Sequence, residues 1–180
     1  MKIAALIKQV PDTETKIRIK ADGSGIEESD IKYIVGPYDE FAIEEALQIK
    51  QKVGQAETYV ISVGPERSVE AIRTALAMGI DKAVHIDNEA AVLDSYQTAK
   101  VLAGIIKKLG IDLVLCGKQA IDNDNSQVVS MLAEILDYPQ VMIAEKIELN
   151  ADKSGAMVTR RVSGAKEVYE VNFPLVVGCE

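Results

Sequence analysis

The sequence predicts an α/β fold: a doubly wound, mostly parallel sheet with helices on both faces and a small antiparallel β extension. Three observations predict it. Short apolar runs recur between segments of helical periodicity, several of those helical segments end at a glycine, and the stretch from Val141 onward alternates between turn signals instead. Strands that alternate with helices imply right-handed βαβ crossovers, and hence parallel strands covered on both faces.

Lys2 to Val10 is apolar almost throughout and reads as the opening buried strand, broken by Pro11-Asp12. Lys16 to Lys20 alternates before the turn Ala21 to Gly25, and a second extended piece begins at Ile26, which together predict a hairpin insertion. Pro37 and Asp39 open a helix whose predicted apolar stripe is Phe41, Ala42, Ala46, Leu47 and Ile49, with Gly54 as its cap. Thr58 to Val63 is a strand, Gly64-Pro65 a turn, and Ser68 to Met78 a helix stopped by Gly79, with Ile72, Ala75 and Leu76 on one face. Ala83 to Ile86 is a short strand. A helix from about Asp94 follows, with Ala99, Leu102, Ile106 and Leu109 inward and Gly110 as its cap. Ile111 to Cys116 is a buried strand that stops at Gly117, and a polar loop runs from Lys118 to Gln127. Val128, Met131, Leu132, Ile135 and Leu136 then mark an amphipathic helix ending at Asp137-Tyr138-Pro139. Val141 to Leu149, Ala156 to Val162 and Glu167 to Asn172 form the expected antiparallel extension. No linker or repeat interrupts the 180 residues, so the expectation is one domain over 1–180 with a β appendage at about 140–177.

The formal net charge of −8, without any Lys/Arg-rich block, argues against a nucleic-acid partner, which would need clustered positive charge. Cys116 and Cys179 are too far apart in sequence for a metal knuckle and read as two free thiols. No h-region with a small-residue cleavage site opens the chain, and no stretch approaches the roughly 20 apolar residues of a membrane span. The expectation is a cytoplasmic protein with no direct membrane insertion.

The loop after Gly117 carries the chemistry. Strand, polar loop and helix N-terminus is the order in which α/β proteins hold a phosphate, because unpaired backbone N–H groups and the positive end of the helix dipole converge there. Gly117 allows the tight turn, Asp124 or Asn125 can cap the following helix, and Ser126, Gln127 and Val128 are expected in its first turn, with their N–H groups toward an anion. Asp122 and Asp124 oppose a polyphosphate but suit ribose hydroxyls, which favours a ligand with few phosphates. An EF-hand reading of Asp122 to Ser126 fails, since its sixth and twelfth positions are Gln127 and Ala133. Neither a Walker loop nor GxGxxG occurs. The single histidine, His85, reads as a polar residue at a strand end and not as a general base. A carrier or binding role fits better than catalysis by the chain's own side chains, and no catalytic residue is assigned.

Several runs together resemble a known family. They are Ile7-Lys8-Gln9-Val10 followed by Pro11-Asp12 and Lys16-Ile17-Arg18, then Gly36-Pro37-Tyr38-Asp39-Glu40, Ser62-Val63-Gly64-Pro65, Ile72 to Gly79 and Gly117 to Asp122. Over essentially its whole length the chain resembles the β subunit of electron transfer flavoprotein. The resemblance implies a Rossmann-like, adenine-nucleotide-binding sheet and a heterodimer with a flavin-binding α subunit. That heterodimer takes electrons from acyl-CoA and related dehydrogenases to a membrane quinone oxidoreductase. It implies AMP in this subunit and FAD held mainly by the partner. Adenine would meet backbone at Leu6, Gly36 and Val63. The phosphate would lie at Ser126, Gln127 and Val128, and Asp122, Asn123, Asp124 and Asn125 would face ribose and phosphate.

Bifurcating relatives, with a second FAD in this place, carry Asp-Gly-Asp-Thr where this chain has Asp122-Asn123-Asp124-Asn125, and a side chain at Asn123 should crowd the larger ligand. AMP is therefore the expectation and a second FAD the alternative. Ser163 to Lys166 replaces an acidic, glycine-rich centre of the family signature. In the family, a partner-recognition loop and a C-terminal arm follow the strand that ends near Val177. The expectation from a chain ending at Glu180 is a portion of a longer subunit, with weak α pairing and no dehydrogenase docking. A universal-stress-type nucleotide-binding module would carry a glycine-rich loop ending in Gly-Ser or Gly-Thr, and an ATP-dependent activating enzyme a Ser-Gly-Gly loop near the first strand. Neither pattern is present.

Overall fold

The computed structural model describes residues 1–88 and 93–180. In chain order the elements are β1 Lys2–Leu6, β2 Gln9–Pro11, β3 Tyr33–Val35, α1 Pro37–Val53 and β4 Glu57–Gly64. A 3-10 turn, Glu66–Ser68, leads into α2 Val69–Met78, β5 Lys82–Asp87, α3 Ser95–Leu109, β6 Leu113–Gly117 and α4 Val128–Leu136. The chain then runs through β7 Gln140–Leu149, β8 Gly155–Val162, β9 Ala165–Asn172 and β10 Leu175–Cys179. Eight strands form one sheet in the order β5-β4-β1-β6-β10-β7-β8-β9, and β2 pairs with β3 in a separate antiparallel ribbon.

The sheet is parallel from β5 to β7 and antiparallel from β7 to β9. The chain first winds outward, from β1 to β4 to β5, and then returns through α3 to lay β6 on the other side of β1. In open α/β sheets a reversal of this kind places a crevice at the carboxyl ends of the flanking strands, here those beside β1.

Two apolar layers explain the winding. On one face, Ile3, Ala5, Val60, Leu113, Leu115 and Val177 pack with Ala42, Ile43, Ala46 and Ile49 of α1 and Ile72 of α2. On the other, Ala4, Ile61, Val114 and Val176 pack with Leu102 and Ile106 of α3 and with Leu132 and Leu136 of α4. The alternation along each strand divides its side chains between the layers. Local signals set the helix ends. Pro37 occupies the first turn of α1 and Gly54, at φ 74°, ends it. Asp94 caps α3 through the Gln97 N–H, while the Gln97 side chain accepts from the Asp94 N–H.

The structure departs from the sequence expectations at several elements, and in α2 the residue Leu76, expected on the face of Ile72 and Ala75, is exposed. The run Lys2 to Val10 divides, because the chain leaves the main sheet after Leu6 and Gln9–Pro11 pairs with Tyr33–Val35 instead. The hairpin at Lys16 to Ile26 reduces to a single bridge, Ile19 to Ile26, as befits two short strands with no third to cover them. In α1 the buried stripe is Asp39, Ala42, Ile43, Ala46 and Ile49, while Phe41 is 53% exposed. The antiparallel extension continues the main sheet, since β10 inserts between β6 and β7 and pairs in parallel with both.

Candidate functional site

The crevice is built where β1, β4 and β6 end. Leu6 closes β1, its backbone level with Ile61 on one side and Cys116 on the other. Val63 lies two residues beyond Ile61 in β4 and is half-buried. Gly117 closes β6. Gly36 immediately precedes α1 and its N–H donates to the Lys8 carbonyl oxygen at 2.9 Å. These expected ligand-lining residues therefore meet at one end of the sheet.

Asp39, in the first turn of α1, ties them together. Its Oδ2 accepts the Lys8 N–H at 2.7 Å and its Oδ1 accepts the Gly117 N–H at 3.1 Å. Both neighbouring glycines are sterically required. A Cβ on Gly36 would lie 2.6 Å from Asp39 Oδ2, and one on Gly117 would lie 2.5 Å from Asp39 Oδ1 and 2.7 Å from the Tyr38 carbonyl carbon. Burial pushes the Asp39 carboxyl up to about 7, against the lowering effect of the two N–H bonds and the Lys8 charge, with the Asp122 charge adding to the rise.

The loop after β6 is held by side chains. Asp122 forms an ion pair with the Lys8 ammonium at 2.6 Å. The Gln119 side chain donates to Asp124 Oδ1 at 2.7 Å and accepts from the Ser126 hydroxyl at 2.9 Å, while Asn125 donates to the Ser95 hydroxyl of α3 at 2.8 Å. Asn123 is exposed at the tip of the turn. Lys118, whose N–H donates to the Cys179 carbonyl oxygen, pairs through its ammonium with Glu180 and lies 4.6 Å from the centre of the Tyr38 ring.

The helix start is corrected here. Asp124 and Ser126 have φ of 49° and 52°, left-handed values that a right-handed helix cannot contain. Hence α4 begins at Val128, with Gln127 as its cap residue, and Asp124 and Asn125 fasten the loop to its surroundings instead of capping the helix. Of the residues expected in the first helical turn, only Val128 is there. Ser126 and Gln127 approach that turn from outside, and the N–H groups of Val128, Val129 and Ser130 are the ones without a partner inside the helix.

Other polar residues have structural partners. His85 Nε2 lies 2.9 Å from the Gly64 carbonyl oxygen, and Gln9 exchanges two hydrogen bonds with Arg67. Cys116 and Cys179 are buried free thiols that belong to opposite layers of the sheet. Burial raises the Cys116 thiol well above its ordinary range and pushes Cys179 up to about 12. Neither is a nucleophile at neutral pH. No helix among the described residues is long and apolar enough to cross a membrane.

Sequence reasoning missed Lys8, Asp39, Gln119 and Ser95 as parts of this site. Asp39 had a readable signal: it shares the i, i+3, i+4, i+7 stripe of Ala42, Ile43 and Ala46, and a carboxylate on a buried stripe calls for fixed partners.

A family model for the electron transfer flavoprotein domain matches residues 24–180. The electron transfer flavoprotein subunit beta of Dictyostelium discoideum is 40% identical over 180 residues, covering 100% of this chain and 71% of that protein. The chain belongs to the electron transfer flavoprotein β-subunit family. The Homo sapiens subunit beta is 39% identical over 180 residues, with 98% of this chain and 70% of that protein covered. That of Bradyrhizobium diazoefficiens is 38% identical over 177 residues, with coverage of 98% and 70%. Membership makes this an electron-transfer subunit of a heterodimer, with an electron transfer flavoprotein α subunit as its partner and a flavin in the complex.

Proposed function

We propose that residues 1–180 form one nucleotide-binding domain that holds AMP in the crevice beside β1, while the α subunit holds the FAD that this subunit helps to shelter. The assembled flavoprotein carries electrons from acyl-CoA and related dehydrogenases to the quinone pool through a membrane quinone oxidoreductase, and it works in the cytoplasm. The observation that carries the AMP assignment is the loop from Gly117 to Val128, fastened by Lys8, Gln119 and Ser95 at the point where the strand order reverses. Asp122 and Asp124 beside a helix start suit a ribose and a single phosphate better than a polyphosphate.

The test is mass spectrometry of the small molecule released when purified, never-dialysed protein is denatured. AMP supports the reading. FAD released from this subunit alone would favour the alternative, a bifurcating-type subunit with a second flavin here. An empty crevice that takes up no added AMP would overturn the assignment of the loop.

A further inference from the structure

Both carboxylate oxygens of Asp39 accept a backbone N–H, from Lys8 on one side and Gly117 on the other. A carboxylate does this with two strong acceptors, whereas a neutral carboxyl carries its proton on one oxygen and leaves that oxygen a poor acceptor for an N–H. Turning the group over does not help, since either oxygen meets a donor. Nor can the side chain swing aside, because the backbones of Gly36 and Gly117 are packed so closely that a Cβ on either would stand 2.6 or 2.5 Å from its oxygens. One proton therefore weakens one of the two bonds that join the segment after β1 to the end of β6.

We propose that Asp39 is the proton-sensitive positioning residue of the nucleotide crevice, ionised when the two segments are clasped and protonated when they part. The inference rests on the adenine-nucleotide reading above. The charged and titratable groups facing Asp39 are Lys8 from the β1–β2 link, Asp122 from the loop after β6, Cys116 in β6 and Cys179 in β10. The two thiols stay neutral, so Lys8 and Asp122 set the local charge and oppose one another. Burial places the Asp39 transition at about 7. A solution passing from slightly alkaline to slightly acid would then unclasp the crevice without unfolding the sheet.

The experiment has two arms on the full chain. In 15N-labelled protein titrated from pH 5.5 to 8.5, the amide signals of Lys8 and Gly117 should move together with one midpoint near 7, and both should lose that titration in Asp39→Asn. Should Asp39→Asn not fold, Lys8→Met keeps the backbone N–H and removes the counter-charge, so the common midpoint should rise. In the second arm, AMP affinity is measured by calorimetry over the same range in wild type and Asp39→Asn. The ratio between them cancels the phosphate's own protonation near pH 6. Wild-type affinity relative to the variant should fall on acidification through the transition. Amides that titrate separately or not at all overturn the inference, as does affinity that rises on acidification. Paired titration without AMP binding at any pH would overturn the nucleotide reading, and with it the role of Asp39 in ligand retention, while leaving the clasp as a property of the fold.

Discussion

The Lys8 ammonium lies 2.6 Å from Oδ2 and 2.8 Å from Oδ1 of Asp122, bridging the segment after β1 and the loop after β6. The two side chains are 43% and 30% exposed, so the pair is screened by solvent and should contribute less than about 1 kcal/mol. A double-mutant cycle with Lys8→Met and Asp122→Asn, read by urea denaturation, should give a coupling in that range. It should shrink at 1 M salt, where the screening length is about 3 Å. Coupling that survives high salt would mean a far drier bridge than the geometry shows.

Gly117 and Gly104 should respond in opposite directions to alanine. At Gly117 the new Cβ meets the Asp39 carboxylate and the backbone of Tyr38 and Asp39 within 2.8 Å, and overpacking of this kind costs about 3 kcal/mol. Gly104 lies inside α3 with open space around it, so Gly104→Ala should stabilise by up to about 1 kcal/mol. Thermal denaturation of the two variants checks both signs.

Asp39 and Asp81 give opposite slopes of stability with pH. The Asp39 carboxyl is raised to about 7. The folded state therefore holds its proton more tightly than the unfolded chain, and the resulting stabilisation is full below pH 4 and lost as pH rises through 7. Its size is at most about 4 kcal/mol. Asp81 is lowered to about 2 by the Lys50 ammonium, helped by the Thr58 N–H and hydroxyl. Its contribution is present above pH 4 and lost as pH falls through 2, and solvent screening keeps it below about 1 kcal/mol. Urea titrations from pH 2 to 8 should show Asp39→Asn gaining on wild type as pH rises above 4, while Asp81→Asn should lose ground at neutral pH and match wild type near pH 2. Stability and crevice closure thus run in opposite directions with pH at Asp39.

Ile43 and Phe41 test the orientation of α1. Ile43 is fully buried and Phe41 is 53% exposed. Truncating Ile43 to alanine should cost about 2–4 kcal/mol, and truncating Phe41, despite its larger ring, less than about 1 kcal/mol. The reverse order in chemical denaturation would mean that α1 is rotated about its axis.

Much of the fold could be read from the sequence because its signals are local. Gly54, Gly79 and Gly110 stop helices, and the apolar runs at Glu57–Gly64 and Leu113–Gly117 lie where both sheet faces are covered. The loop at Gly117 to Val128 was legible for the same reason. What escaped was set by distant partners. The chain leaves the sheet after Leu6 although its apolar run continues. The Ile7 N–H still donates to the Ile61 carbonyl oxygen at 3.0 Å, but the next N–H, that of Lys8, is taken by Asp39. No periodicity within residues 2–10 encodes an acceptor 31 positions away. Likewise, the left-handed turns at Asp124 and Ser126 accompany a bond that Asp124 accepts from the Gln119 side chain and one that Ser126 donates to it, which a helical count beginning at the loop cannot register.

The placement of β10 has a consequence for the order in which the molecule can assemble. β10 lies between β6 and β7, yet it follows both in sequence, so during synthesis the β7–β8–β9 meander has no bonded route into the sheet until residues 175–179 have emerged. The crevice depends on the same event, because the Lys118 N–H finds its acceptor on Cys179. A nascent chain halted before Leu175 would expose the open flank of β6, with Leu113, Val114 and Leu115 lacking the strand that covers them. Closure of this end of the sheet is therefore timed to the arrival of β10, and a half-zipped sheet is the species that a chaperone would meet.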